Sequence, residues 1–402
     1  MRSMALEVRT ARDEDREAMH HVGQQGFAAR PADYDEKSDR SATPLDRRLV
    51  AVEGERIVGR LAVWELGQWF GGRQVPMGGI GGVAVAPDFR GKGVATALLH
   101  QVVAAMRERG EVLSTLYPMN HTLYRRHGWE TAGSYPEQSL DLRALTALPK
   151  PSRQIDIRPT AEGDLLAVSR LHEDVSRDEP GNVFHGSVFA ARRLLGYAGI
   201  QEGYVAETDG AVTGLLILTR SDAPKGDQGF YTLSINQLVA ADLDSELALL
   251  RLVAAHYPVA REVTLVVPPH AALTTLLGER DLRPAGQGWS WMTRLVDAAG
   301  AVAARSYAAE VDVEVHLDIE DSVAPWNAGP HVLRVKDGQG LLEPGGRGDV
   351  RLGIGRLASL YTGWAAPRRL ARLGLLPGAG EQDLLGLDRT FSSRTPWSRD
   401  FF

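Results

Sequence analysis

The stretch from Ile80 to Gly110 constrains the chain most. A short β-prone run, Gly82 to Ala86, stops at Pro87-Asp88, a turn signal. The glycine-rich loop Arg90-Gly91-Lys92-Gly93 follows. Val94, Ala95, Leu98, Leu99, Val102, Val103 and Met106 then recur at helical spacing, with Gly110 as C-cap. The order is strand, glycine loop, helix. Such a loop aims backbone N–H groups at one point before a helix N-terminus, which suits a phosphate or pyrophosphate. Arg90 and Lys92 add positive charge there. Many α/β folds use a glycine loop merely to turn, so the spacing has to decide. The glycines do not fall as G-x-G-x-x-G after the strand, which sets aside a dinucleotide fingerprint. Neither Ser nor Thr follows Lys92, which sets aside a Walker loop.

With 402 residues the chain has room for two or three domains. Its 45 basic and 51 acidic residues give a net charge of -6, which argues against a general nucleic-acid binder and favours a cationic substrate. There is no cysteine, so disulfides, thiolate metal sites and a cysteine-acyl intermediate are excluded. Met1 to Thr10 lacks an apolar signal core, and no run of about 18 apolar residues appears. A cytoplasmic protein with no membrane span is expected. The histidines show no metal-ligand spacing, and no metal is expected.

Leu6 to Arg9 reads as a strand and Asp13 to Gln24 as a helix with acidic residues early, as the helix dipole prefers. Phe27 to Ser41 is polar and irregular. It carries Asp33, Asp35, Glu36 and Asp39, either a solvated loop or the rim of a pocket for a cationic amine. Arg48 to Val52 and Arg56 to Trp64 form a hairpin around Glu53-Gly54-Glu55, and Arg73 to Met77 is a further strand. Val112 to Tyr117 is another, followed by Asn120 to Trp129.

A second copy of this pattern starts near residue 154. Asp156 to Asp164 parallels Glu7 to Asp15, and Tyr204-Val205-Ala206 leading to Gly214 parallels Leu49-Val50-Ala51 leading to Gly59. The offset drifts by only a few residues, as in a duplicated domain with small insertions. Asp244 falls where Arg90 falls in the first copy, and no glycine loop follows it. A carboxylate there repels pyrophosphate, so the second copy is expected to keep the fold without the phosphate site. From Val296 the texture changes. Ala298 to Ala304 is a linker candidate. Val311 to Ile319 alternates as a half-buried strand, Val332 to Val335 and Asp349 to Leu352 are strands, and Ile354 to Tyr361 is a helix. The chain finishes on Phe401-Phe402. Chain ends are normally polar and frayed, so two aromatics predict a buried tail that carries its carboxylate inward.

Arg90, Gly93 and Ala95 resemble the coenzyme A signature Q/R-x-x-G-x-G/A of the GNAT acetyltransferases, preceded by Val83-Ala84-Val85 and Pro87. With Leu123-Tyr124-Arg125-Arg126-His127-Gly128-Trp129 and the aromatic C-terminus, the whole chain resembles the enhanced intracellular survival (Eis) family of multi-acetylating aminoglycoside N-acetyltransferases. The resemblance implies an α/β fold of mixed sheets, with tandem GNAT folds plus a domain similar to sterol carrier proteins. The divisions are 1–150 for an acetyltransferase domain with the acetyl-coenzyme A site, 151–295 for a GNAT-like domain without it, and 296–402. It implies acetyl-coenzyme A as co-substrate, a homohexamer, Tyr124 as general acid and the Phe402 carboxylate as general base. Cofactor contacts fall on Val83, Ala84 and Val85, on Arg90, Gly91, Lys92, Gly93, Val94, Ala95 and Thr96, and around Met119 and Asn120. The family's loop is often richer in arginine. Gly91 and Gly93 replace part of that charge but keep the backbone cradle.

The chemistry suits these roles. Alkyl amines have a pKa of about 10.4, so a base must remove a proton before acetyl transfer at neutral pH. A buried terminal carboxylate would bind the ammonium. Its ordinary pKa is only about 3.5, so burial must raise its basicity or water must relay the proton. The Val85 N–H is the expected donor to the oxyanion. Tyr124 can protonate the departing thiolate. Without cysteine, direct transfer in a ternary complex is expected. Each residue has a plainer reading: Tyr124 capping a core, Phe402 as a docking anchor, His121 and His127 as structural or surface groups, Trp129 as packing. Rival functions are acetylation of lysines, peptides or polyamines, and a lipid-binding or scaffold role for the C-terminal region.

Overall fold

Alternating apolar residues set the strands, and two of the sheets repeat one plan. The computed structural model describes residues 6–27, 43–185, 201–222, 230–278, 280–286 and 288–402. The acidic stretch with Asp33, Asp35, Glu36 and Asp39 lies outside them. The described chain divides into two compact units, Met1–Ala132 with Trp291–Ser393 and Phe402, and Gly133–Ser290 with Arg394–Phe401.

In the first unit, β1 (Leu6–Thr10), β2 (Arg48–Glu53), β3 (Arg56–Phe70), β4 (Arg73–Val85) and β5 (Leu113–Leu116) follow one another across a sheet. Arg73–Met77 and the motif strand are one continuous β4. The helix Val94–Glu108 buries Leu98, Leu99, Val102, Val103 and Met106 against Leu61, Val63 and Ile80 of that sheet. At Gly110, φ is +78°, the left-handed geometry of a glycine helix stop. The helix Arg16–Phe27 is preceded by a 3-10 turn at Asp13–Asp15. There the Asp15 carboxylate accepts from Arg9 at 2.6 and 3.0 Å and from the Arg12 backbone N–H at 2.7 Å.

The second unit repeats this device. Asp164 accepts twice from Arg158 at 2.8 Å and from the Ala161 backbone N–H at 2.7 Å. The same ion pair and cap at the same spacing support the duplication read from Glu7–Asp15 and Asp156–Asp164. The strands here are β7 (Glu137–Asp141), β8 (Asp156–Pro159), β10 (Glu202–Thr208), β11 (Ala211–Asp222), β12 (Tyr231–Ala240), β13 (Ala260–Val266) and β14 (Arg283–Pro284), with β6 (Glu130–Tyr135) and the two-residue β9 (Val183–Phe184) outside this set. They order as β14-β7-β13-β12-β11-β10-β8. The helix Leu243–Ala254 covers this sheet through Leu247, Leu249, Leu250 and Val253.

Sheet membership does not follow the divisions at 150 and 295. β7, before residue 150, pairs with β13, while β15 (Trp289–Leu295) pairs with β5 and completes the first sheet as β1-β2-β3-β4-β5-β15-β6. The chain leaves β6 for β7 at Pro136, which has no N–H to continue a ladder.

β16 (Val313–Glu320), β17 (Gly329–Lys336), β18 (Gln339–Pro344) and β19 (Val350–Gly353) form a third sheet, ordered β18-β17-β16-β19. Val315, Leu317 and Ile319 are buried, as their alternation predicts. The expected linker Ala298–Ala304 is instead a buried helix. Asp297 caps it by accepting from the Gly300 N–H at 3.0 Å, and Ala298, Ala301 and Val302 are its inner face. Alanine is the best helix former, and its small side chain lets the helix lie close against its neighbours, so a run of small residues is here a packing device.

Candidate active site

β4 and β5 pair in parallel from Met77–Leu113 to Ile80–Leu116, and β4 then runs on to Val85 without its partner. Across β4, Ala62 faces Gly81 and Arg60 faces Ala84, so Gly82 and Val83 together oppose the single Leu61. This is a β-bulge, and Gly82 takes it at φ +62°. Beyond it Ala86 donates to the Val58 carbonyl at 2.9 Å. Strand N–H groups alternate in direction, so Val85 points its N–H away from β3, into the gap that β5 has left.

The gap opens into a cavity of about 700 Å³. Val83, Ala84 and Val85 form one wall, and Arg90, Gly91, Gly93, Val94, Ala95 and Thr96 form the helix end. Met119, Asn120 and Tyr124 also line it. Gly93 is the N-cap residue at φ +83°, and no side chain caps the helix. Its first N–H groups are therefore offered to whatever lies in front of them. A side chain at Gly91 or Gly93 would enter open space, yet both hold left-handed backbone (φ +78° and +83°) that favours glycine. Among the expected loop residues Lys92 does not line the cavity; its ammonium sits 4.3 Å over the Phe89 ring. Asn120 caps the helix His121–Arg125, accepting from the Leu123 N–H at 3.2 Å. Arg126, not singled out in the sequence, lines the cavity as a further cation.

Tyr124 is 7% exposed, and burial raises its phenol to about 12. It stays protonated at neutral pH, as a proton donor must. Its segment is braced from below. The Arg294 guanidinium donates to the His127 carbonyl at 2.6 Å and to both Asp321 oxygens at 2.7 and 2.6 Å. His127 lies 3.3 Å from Thr96 Oγ1 and 3.2 Å from His100, and burial lowers its pKa. It is a buried structural group. Trp129 is fully buried and donates to Ser114 Oγ at 3.2 Å, so it packs, as expected.

Phe402 lies against β4. A Cβ at Gly79 would come within 2.8 Å of the Phe402 ring, and one at Gly81 within 3.8 Å of its carboxyl carbon and 3.3 Å of Trp64 Nε1. Glycine at 79 leaves room for the Phe402 ring, and at 81 a side chain would press on Trp64 Nε1. Tyr117 meets the Phe402 ring edge-on with centroids 5.5 Å apart. Trp64 and Tyr117 carried no signal in the sequence, because their role depends on which strand residue faces which. Trp397, Ser398, Arg399 and Asp400 are buried, whereas Phe401 is 45% exposed.

The second copy has the corresponding gap. β12 and β13 pair in parallel as far as Ile235–Leu265, and β12 continues to Ala240. The following helix is closed by Asp242, whose carboxylate accepts from the Ser245 N–H at 2.9 Å, and Asp244 and Glu246 crowd its first turn. Trp397 and Arg399 of the tail line the remaining space, about 200 Å³.

An acetyltransferase (GNAT) domain profile matches residues 7–132, a second acetyltransferase (GNAT) profile matches 192–295, and a sterol carrier protein domain profile matches 298–399. An uncharacterized N-acetyltransferase of Streptomyces coelicolor is 28% identical over 92% of this chain and 92% of its own. The N-acetyltransferase Eis of Mycobacterium tuberculosis is 25% identical over 89% of each. The crystal structure of a GCN5-related N-acetyltransferase from Anabaena variabilis superposes with a TM-score of 0.89 at 27% identity, covering 99% of this chain and 100% of that one. The GNAT domains imply use of acetyl-coenzyme A. Among the described residues no helix is long and apolar enough to cross a membrane.

Proposed function

Because this chain is an N-acetyltransferase of the Eis-like GNAT family, we propose that it moves acetyl from acetyl-coenzyme A directly to amines of polycationic small molecules, aminoglycosides foremost, at more than one position. The observation that carries the donor side is the uncapped helix at Gly93 behind the splayed β4, with Tyr124 on the same cavity wall. Acetyl-coenzyme A supplies an activated thioester. The N–H groups from Gly91 to Thr96 and the Arg90 and Arg126 cations hold phosphate oxygens, with Lys92 adding charge at the loop. Val83, Ala84, Met119 and Asn120 flank the pantetheine arm. The Val85 N–H donates to the carbonyl oxygen as negative charge grows on it. The Tyr124 hydroxyl gives its proton to the departing sulfur. The Phe402 carboxylate, beside Gly81, holds the ammonium and takes its proton.

Net charge of -6 and a terminal carboxyl beside Gly81, on a residue whose ring meets Tyr117, favour a cationic acceptor. The reading keeps three domains in the order 1–150, 151–295 and 296–402, with β7 and β15 crossing the divisions, together with a homohexamer and a cytoplasmic setting. Thiol release should be fastest with aminoglycosides, slower with polyamines and slowest with lysine peptides, and mass spectrometry should show more than one acetyl per aminoglycoside. A lysine peptide turned over faster than any aminoglycoside would replace the substrate class.

A further inference from the structure

Within the second unit, three residues far apart in the chain bring metal-binding atoms to one buried point. His172 lies inside the helix Leu165–Ser176 and is 1% exposed. His185 follows β9, and Asp400 lies in the terminal segment; the side chains of both are 8% exposed. His172 Nε2 is 3.5 Å from Asp400 Oδ2, and His185 Nε2 is 3.3 Å from Asp400 Oδ1. One donor atom from each residue falls within 4.8 Å of the others. The two imidazoles stand edge-to-face with centroids 5.0 Å apart, so the rings do not stack.

From these positions we infer that His172, His185 and Asp400 hold a divalent transition-metal ion of the zinc type, which pins the last residues of the chain onto the second copy. Among the described residues, neither ring nitrogen of His185 nor Nε2 of His172 has a hydrogen-bond partner, although all three atoms are buried. Buried polar atoms of this kind are costly unless something pairs with them. Two neutral imidazoles could each turn an Nε2–H toward one Asp400 oxygen, but at 3.5 and 3.3 Å neither contact has the geometry of a hydrogen bond. A metal ion serves both and neutralises the carboxylate. Zinc favours His and Asp donors at about 2.0–2.2 Å in a tetrahedron, whose edges are roughly 3.3 Å. The His185 Nε2 to Oδ1 separation of 3.3 Å matches that edge, and the His172 Nε2 to Oδ2 separation of 3.5 Å is slightly longer, each imidazole facing its own carboxylate oxygen.

The surroundings orient the donors as metal sites require. Ser176 Oγ lies 3.4 Å from His172 Nδ1, on the far side of the ring, so Nε2 faces the carboxylate. The Gln237 side-chain amide donates to Asp400 Oδ1 at 2.8 Å and steers it. The neighbouring Arg399 turns its charge elsewhere, to Asn182 Oδ1 at 3.0 Å and the Leu238 carbonyl at 3.2 Å. Because 172, 185 and 400 are so widely separated, no spacing motif betrays the set.

The test uses the full-length, tag-free protein, stripped with a chelator and then titrated with zinc chloride alone against a chromophoric competitor. The expected result is one equivalent bound per chain at micromolar affinity or tighter, with a rise in Tm. Cobalt(II) in place of zinc should give the visible absorption of a four-coordinate site. His185→Ala and Asp400→Asn should each weaken binding by on the order of 100-fold or more and abolish the Tm rise. His172→Gln serves if His172→Ala does not fold, with circular dichroism as the check. Absence of stoichiometric binding at micromolar zinc overturns the proposal, as does equal binding by wild type and His185→Ala.

Discussion

β4 leaves β5 after Ile80–Leu116, and β12 leaves β13 after Ile235–Leu265. The same fold thus opens the same gap twice. In the first copy the gap faces a helix with glycine at its cap and its N–H groups undirected. In the second, Asp242 consumes a first-turn N–H, two further carboxylates follow, and Trp397 and Arg399 enter the space. The sheet alone therefore does not make a coenzyme site. On the proposed reading, what makes one is the chemistry of three or four residues at the helix start. A copy relieved of that chemistry is free to hold the chain's own tail.

The largest expected effect breaks the first gap from the acceptor side. Two or three residues appended after Phe402 should lower kcat by about 10³-fold while calorimetry shows acetyl-coenzyme A still bound. Full activity in that protein would remove Phe402 from the mechanism. Tyr124→Phe should cost about 10² in kcat with little change in cofactor affinity. Burial holds the phenol at about 12, and the protonated form works, so activity should show no Tyr124-linked loss as pH rises toward 10. A Tyr124-dependent fall centred near pH 10 would contradict that assignment. Gly93→Asp writes the second copy's carboxylate into the first, and it should raise the KM for acetyl-coenzyme A roughly tenfold or more by repelling phosphate. An unchanged KM would mean that the helix start is not the phosphate site. Asp242→Ala is the smallest change. It should cost about 1 kcal/mol of stability by denaturant titration and leave the KM for acetyl-coenzyme A alone.

The first gap was largely legible. Gly91, Gly93 and the apolar spacing of Val94 to Met106 are local, and local patterns survive into the fold. The duplication was legible for the same reason, since Arg9–Asp15 and Arg158–Asp164 are short-range pairs. The parts that were not legible depend on long-range contact. Gly79 and Gly81 carry no signal by themselves; it is the Phe402 ring, 2.8 Å from a Cβ at 79, and Trp64 Nε1, 3.3 Å from a Cβ at 81, that account for their missing side chains. Ala298–Ala304 looked loose because small residues suit both linkers and closely packed helices. The exchange of β7 and β15 between sheets leaves no trace in either strand's own pattern, because register partners lie far along the chain. Tyr117 and Trp64 were hidden for the same reason.

The insertion of β15 also bears on how the protein is made. On a ribosome, β5 emerges about 180 residues before the strand that will lie beside it. At ~5–20 residues per second, its outer edge waits roughly 10–40 s for that partner. An open edge of this kind is a template for pairing with another chain. Any fragment that stops short of Trp289 would keep it permanently, and should assemble edge to edge instead of remaining a single soluble domain.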